Sequence, residues 1–151
     1  MSINVEENIS LSQFTTMRVG GNARFFARVK DVDGLKDAII FARGKSIPVF
    51  ILGGGSNTIV SENGFPGFVI KIEIKGITCD GNRVIAGAGE MWDDVARDAV
   101  SRNLWGIENL SLVPGTVGGA VAQNIGAYGV EVRETIFSVD AFDISSMQIK
   151  T

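Results

Sequence analysis

The chain has 151 residues, 45% hydrophobic and 21% charged, with 14 basic against 17 acidic side chains, so it fits one soluble globular domain or two small ones and excludes a disordered tail or a membrane protein. One cysteine, Cys79, and no histidine exclude a disulfide scaffold, a histidine-ligated metal site and a histidine general base. Basic residues are interspersed with acidic ones, which argues against nucleic acid as a partner.

Met1 to Ser12 is polar with no apolar leader core, which points to a cytoplasmic protein. Ala23 to Val29 reads as a strand. A helix follows, capped by Asp31 or Asp33, with Val32, Leu35, Ala38, Ile39 and Ala42 at helical spacing and Gly44 placed as its left-handed terminator. Pro48 to Leu52 is a continuous apolar run, the pattern of a strand covered on both faces. Thr58 to Val60 reads as a short strand, Glu62 to Gly64 as a turn, and Phe68 to Ile74 alternates like a strand with one wet face. These elements make an α+β unit over residues 1–76.

Residues 77–151 form the second unit. Ile77 to Cys79 and Arg83 to Ala88, around an Asp80-Gly81-Asn82 turn, read as a hairpin. A helix spans about Met91 to Arg102, with Trp92, Val95, Ala96, Ala99 and Val100 on one stripe. Leu104 to Gly129 loses both periods and becomes glycine-rich, too apolar for disorder and long enough to be functional. Glu134 to Asp143 reads as a strong strand, Ser145-Ser146 as a turn and Met147 to Ile149 as a returning strand that the C-terminus leaves half built. The expectation is a piece of something longer, whose second unit is truncated and whose exposed sheet lowers stability and favours self-association.

Glycine makes up 19 of 151 residues, against a usual ~7%, and it is concentrated in two places. Gly53-Gly54-Gly55-Ser56-Asn57 follows a buried strand; glycines let backbone N–H groups converge on an anion, and Ser and Asn add donors. It lacks the lysine of a P-loop and no helix follows it, so the alternatives are a phosphate cradle of another kind and a tight turn needing positive φ. Pro114-Gly115-Thr116-Val117-Gly118-Gly119-Ala120, leading into Gln123-Asn124-Ile125-Gly126-Ala127-Tyr128-Gly129, leaves a wall with few side chains. A flat ring could lie along it, with Gln123 and Asn124 at its polar edge and Tyr128 stacking or donating; the alternative is close packing of small residues. Cys79 reads as an inert small residue, Asp93 and Asp94 as solvated first-turn carboxylates, and Arg18 as a cation for a pyrophosphate or a member of a surface ion pair.

The run Thr15 to Gly21, then GGGSN, Gly87-Ala88-Gly89-Glu90, Gly106 to Leu110, the PGTVGGAVAQNIGAYG block and Val130-Glu131 resembles the UDP-N-acetylenolpyruvoylglucosamine reductase family over nearly the whole chain. The resemblance implies an α+β FAD-binding fold of the vanillyl-alcohol-oxidase (PCMH) type, two subdomains clasping FAD. It places Gly53, Gly54, Gly55, Ser56, Asn57 and Thr58 at the pyrophosphate. It places Pro114, Gly115, Gly118, Gly119, Ala120, Asn124, Ile125, Gly126 and Tyr128 around the flavin and its ribityl chain. Some members carry serines where this chain has Gly119-Ala120, so backbone contacts are the firmer part of that expectation.

The resemblance also implies chemistry in which NADPH reduces FAD and the flavin passes hydride to the enolpyruvyl group of a UDP-sugar, giving UDP-N-acetylmuramate for peptidoglycan. It implies a later serine as proton donor, an arginine in a Gly-Tyr-Arg segment and a late glutamate. None of those motifs occurs in this chain, so no catalytic residue and no metal ligand is assigned, and the piece by itself is expected to lack activity. Two other readings stay open: a flavin-dependent oxidase or dehydrogenase of the same superfamily, and a flavin-free interaction module on this fold.

Overall fold

The computed structural model describes residues 3–151. Its largest sheet has four strands, β1 (Glu6–Ser10), β2 (Asn22–Val29), β3 (Val49–Leu52) and β4 (Phe65–Ile72), in the spatial order β1-β2-β4-β3. β2, β4 and β3 run parallel and β1 lies antiparallel to β2. Strand β1 is a polar edge strand that the sequence pattern missed; Asn8 sits in it at φ 57, outside the paired register, and its Oδ1 accepts from the side-chain amide of Asn22, the partner of Ser10, at 2.9 Å.

Both faces of the sheet are covered. Phe25, Ala27 and Val29 of β2 and Phe68 and Ile70 of β4 pack under α1 (Val32–Gly44) through Leu35, Ala38, Ile39 and Ala42. Phe26 and Val69 point to the other face, where Leu11 and Leu52 join them and Phe14 stacks on Phe26 at 4.6 Å. A register shift between Ala23 and Phe25 turns Ala23 onto this second face as well. Each large apolar side chain buried here contributes roughly 1.5–3 kcal/mol relative to exposure.

This arrangement reverses two expectations. The apolar run 48–52 is not covered on both faces; β3 is an edge strand, with Phe50 and Ile51 exposed. The alternating segment 68–74 does not have one wet face. As part of β4 it occupies the centre of the sheet, Phe68, Val69 and Ile70 are fully buried, and Lys71 is only partly exposed. A strand's place in the sheet is set by which neighbours it finds, and the amphipathic pattern of one strand does not encode that. Thr58 to Val60 forms no strand either.

α1 is capped by Asp31, which accepts from Gly34 N at 2.7 Å, so of the two candidates Asp31 caps and Asp33 lies in the first turn. Gly44 is not the left-handed terminator. Ser46 is, at φ 51, donating to Arg43 O while Ile47 N reaches Ala42 O, the two bonds of a Schellman motif. α2 (Trp92–Ser101), which follows the hairpin β5 (Ile77–Asp80) and β6 (Arg83–Ala86), ends the same way at Asn103, φ 58. On its apolar stripe Trp92, Val95, Ala96 and Ala99 are buried, but Val100 lies 52% exposed and outside it.

The glycine-rich segment contains a helix the sequence did not announce, α3 (Val117–Gln123). Two glycines in its first turns lower its intrinsic propensity and erase the apolar period, so tertiary contacts form it. Ala120 packs with Trp92, Leu110 and Val132 in a third core cluster. β7 (Gly126–Ala127) and β8 (Val130–Glu131) then make a tight hairpin. The expected strand 134–143 is reduced to β9 (Ala141–Asp143), paired with β10 (Gln148–Lys150). Thr135 to Asp140 finds no partner strand, and Phe137 is left 75% exposed beneath the Arg83 guanidinium. The β9–β10 hairpin returns to the first sheet: Phe142 and Met147 pack on its core and Arg43 donates to Ile144 O at 2.7 Å.

Candidate functional site

Gly53 to Thr58 leaves the carboxyl end of β3, at the end of the sheet where β2 and β4 also terminate. Loops at this edge are the usual ligand-binding positions of parallel sheets. The segment Pro114–Thr116 lies directly against it. Ser56 Oγ donates to Pro114 O at 3.1 Å, and the Asn57 amide donates to Gln123 Oε1 at 2.8 Å. A Cβ on Gly54 would stand 2.8 Å from Gly115 Cα, and one on Gly53 would stand 2.7 Å from Thr116 Oγ1. The fold thus brings the two glycine-rich segments, about sixty residues apart in sequence, into backbone contact.

The segments Thr15–Gly21, Gly87–Glu90 and Gly106–Leu110 also meet here through hydrogen bonds to backbone carbonyls. Thr16 N donates to Gly55 O at 3.1 Å, which ties Thr15–Gly21 to the first loop; Gly55 is left-handed at φ 72, and a Cβ there would fall on the Phe14 carbonyl. Val117 N donates to Glu90 O and Gly118 N to Ala88 O, each at 2.9 Å, so Gly87–Glu90 seats the start of α3. Trp92 N reaches Gly115 O at 3.0 Å, while its indole donates to Leu110 O at 2.8 Å, anchoring Gly106–Leu110.

Asp93 does more than a solvated first-turn carboxylate. It accepts from Ser111 Oγ at 2.8 Å and Leu112 N at 2.7 Å, and these bonds hold its carboxyl below the usual aspartate range. It therefore clamps the entry to the glycine-rich segment. Glu90 is lowered in the same way, first by Gly76 N and then by Lys75. Asp94 stays solvated and pairs with Arg97. Arg18 is exposed and makes no ion pair among the described residues.

The other sequence-selected residues sort by what their side chains already touch. Asn124 ends α3 in the left-handed region at φ 47; its amide donates to Glu131 at 2.8 Å and its carbonyl accepts from Arg133 N at 3.2 Å. Ala120 is buried in the third cluster and Ile125 packs against it, so both face the core. Gly126 lies in β7, and Tyr128 with Gly129 forms the turn to β8, both at positive φ, with the Tyr128 ring 90% exposed. Gly119 is different: the nearest atom to a Cβ built there is Thr116 Oγ1 at 3.7 Å. The Thr116 hydroxyl is itself buried without a hydrogen-bond partner.

Beneath this junction lies a cleft of about 550 Å³ bordered by Gly54, Lys30, Lys71, Lys75, Met91 and Thr116. The three lysines belong to no sequence motif; the parallel arrangement of β2 and β4, which end side by side, gathers them. A hollow of about 610 Å³ at the opposite end, between Glu7, Asn22, Arg24 and Glu62, holds neither glycine-rich segment.

Residues 23–148 match the FAD binding domain family. The chain is 40% identical over 147 residues to a UDP-N-acetylenolpyruvoylglucosamine reductase of Saccharopolyspora erythraea, covering 94% of this chain and 40% of that protein. It is 43% identical over 141 residues to the one of Neisseria meningitidis, covering 90% of this chain and 40% of that protein. Among solved structures, the crystal structure of UDP-N-acetylenolpyruvylglucosamine reductase (MurB) from Thermus caldophilus is similar with a TM-score of 0.70 and 33% identity, covering 85% of this chain and 45% of that one. The chain thus spans less than half the length of these relatives. The match runs from β2 to the C-terminal hairpin, through both glycine-rich segments and the α+β framework that holds them, and the chain belongs to the FAD-binding domain family.

Proposed function

We propose that this chain is the FAD-binding portion of a UDP-N-acetylenolpyruvoylglucosamine reductase, a cytoplasmic NADPH-dependent flavoprotein oxidoreductase of peptidoglycan synthesis. The observation that carries the reading is the junction of the two glycine-rich segments: Gly53, Gly54 and Gly55 have no room for a side chain, whereas a Cβ on Gly119 would make only an ordinary contact with Thr116 at 3.7 Å. The unpartnered Thr116 hydroxyl at the same junction fits a site completed by a polar ligand. These residues fit FAD, which has an anionic diphosphate for the first segment and a flat ring for the second.

In this reading the backbone of Gly53 to Thr58 holds the diphosphate, and Pro114, Gly115, Gly118 and Gly119 line the flavin and ribityl chain. Asn124 and Ile125 act through their backbone and by shaping the wall, since their side chains are engaged elsewhere. Tyr128, exposed on its turn, covers the ring in this reading. When bound, the flavin supplies hydride transfer between NADPH and the enolpyruvyl UDP-sugar. The chain's own residues bind and orient; none of them is assigned a catalytic role. The division into subdomains 1–76 and 77–151 belongs to the same proposal: the buried residues fall into separate clusters on the two sides of Gly76, while Phe142 and Met147 of the β9–β10 hairpin cross back to pack on the first.

Titration of the purified chain with FAD, followed by flavin fluorescence and visible absorption, tests this. Saturable binding is the expected result. A folded chain that leaves both signals unchanged would overturn the reading and favour an interaction module on this fold.

A further inference from the structure

Lys71 is the residue at the site that no motif singles out. It lies near the carboxyl end of the central strand β4, partly buried, and its ammonium donates to Gly53 O at 2.9 Å. Desolvation holds its pKa below the usual lysine range, with Arg28 and Lys75 acting in the same direction and Glu73 against it. The neighbouring charges are already matched: Arg28 bonds Glu73 at 2.9 Å and Lys75 bonds Glu90 at 3.2 Å. Lys71 makes no direct ion pair among the described residues; the nearest acid acting on it, Glu73, also borders the cleft but is bonded to Arg28. A partly desolvated cation matched only by a shared carboxylate is unfavourable, and an anion in the cleft relieves it.

A second observation points into the same cleft. Thr116, 4% exposed, borders it together with Gly54 and Lys71, and its hydroxyl has no partner. The cleft therefore combines an incompletely matched positive charge, an unused hydroxyl and a glycine that cannot carry a side chain. Of the parts of FAD, the doubly charged diphosphate matches that set, and the neutral ring and ribityl chain do not.

Building on the proposed function above, we infer that Lys71 is the charge-compensating and positioning residue for the FAD diphosphate. One N–H fixes the Gly53 carbonyl, and so the start of the glycine-rich loop, and the ammonium's two other donors serve phosphate oxygens. The chain then recognises the diphosphate by a charge on the sheet as well as by loop backbone.

The test compares wild type, Lys71→Met and Lys71→Arg by FAD titration at about 20 mM and about 500 mM salt, where screening of a partly exposed charge differs strongly. Melting curves of the flavin-free chains accompany the titrations. The expected result is wild-type affinity that falls with salt, a Lys71→Met affinity about tenfold or more weaker at low salt and less sensitive to it, since Lys30 and Lys75 remain at the cleft, and substantial recovery in Lys71→Arg. The flavin-free melting temperature of Lys71→Met stays at or above that of wild type, because a desolvated charge has been removed. Equal affinity and salt dependence in wild type and Lys71→Met overturns the inference alone. So does a loss that Lys71→Arg fails to rescue and that accompanies a lowered melting temperature. Absence of FAD binding by the folded wild type overturns both the inference and the functional reading beneath it.

Discussion

Gly53–Gly55 in the first glycine-rich segment and Gly119 in the second are glycine for opposite reasons. In Gly53–Gly55 the glycines are demanded by the protein itself: a Cβ on Gly54 meets Gly115 Cα at 2.8 Å, and one on Gly55 meets the Phe14 carbonyl in a left-handed backbone. At Gly119 the protein demands nothing, for the nearest atom is 3.7 Å away. A glycine required by packing says how the chain closes on itself. One without such a demand, inside a helix that it weakens, leaves the backbone there approachable.

The largest effect that separates the two is expected at Gly55. Gly55→Val should cost about 3 kcal/mol or more of stability, from strain at φ 72 and overlap with Phe14, measured as a lowered urea midpoint. A variant of nearly unchanged stability would show that the close approach is not needed. Gly54→Val should cost about 1–3 kcal/mol and abolish saturable FAD binding.

Gly119→Leu sharpens the contrast. Leucine is the better helix former, so stability should stay level or rise by up to about 1 kcal/mol while FAD affinity falls about tenfold or more. If fluorescence titration gives the wild-type affinity, the backbone at Gly119 is not where the ligand lies.

Asp93 tests how the second segment is held in place. Its folded pKa lies below the ordinary 3.8 because Leu112 N and Ser111 Oγ stabilise the carboxylate, so its contribution is present above that value and is lost as pH falls through the lower folded one. Asp93→Asn should be less stable than wild type at neutral pH, with the difference shrinking as pH falls below 3.8. Parallel denaturation curves across that range would remove Asp93 from the clamp. The smallest effect is expected at Tyr128. Tyr128→Asn keeps a residue that tolerates the left-handed turn at φ 52, so stability should change by only a few tenths of a kcal/mol, at about the few-tenths scale of single turn residues, while quenching of bound flavin fluorescence weakens.

The sequence by itself determined the elements whose signal is local. Helix α1 with an aspartate cap narrowed to Asp31 or Asp33, the Gly81-Asn82 hairpin, helix α2 and the turn before β10 all appear where spacing and turn chemistry put them. Both glycine-rich segments were legible as well, because glycine at that density has few purely local uses. Tertiary structure alone decided what depends on partners. It made 68–74 central and 48–52 an edge, since burial of a strand is set by its neighbours in the sheet. It formed α3 against propensity by seating its first turn on Ala88 and Glu90, and left 135–140 unpaired for want of a neighbouring strand. It gathered Lys71, Thr116 and Gly54 around one cleft, because parallel strands end together whatever their separation along the chain.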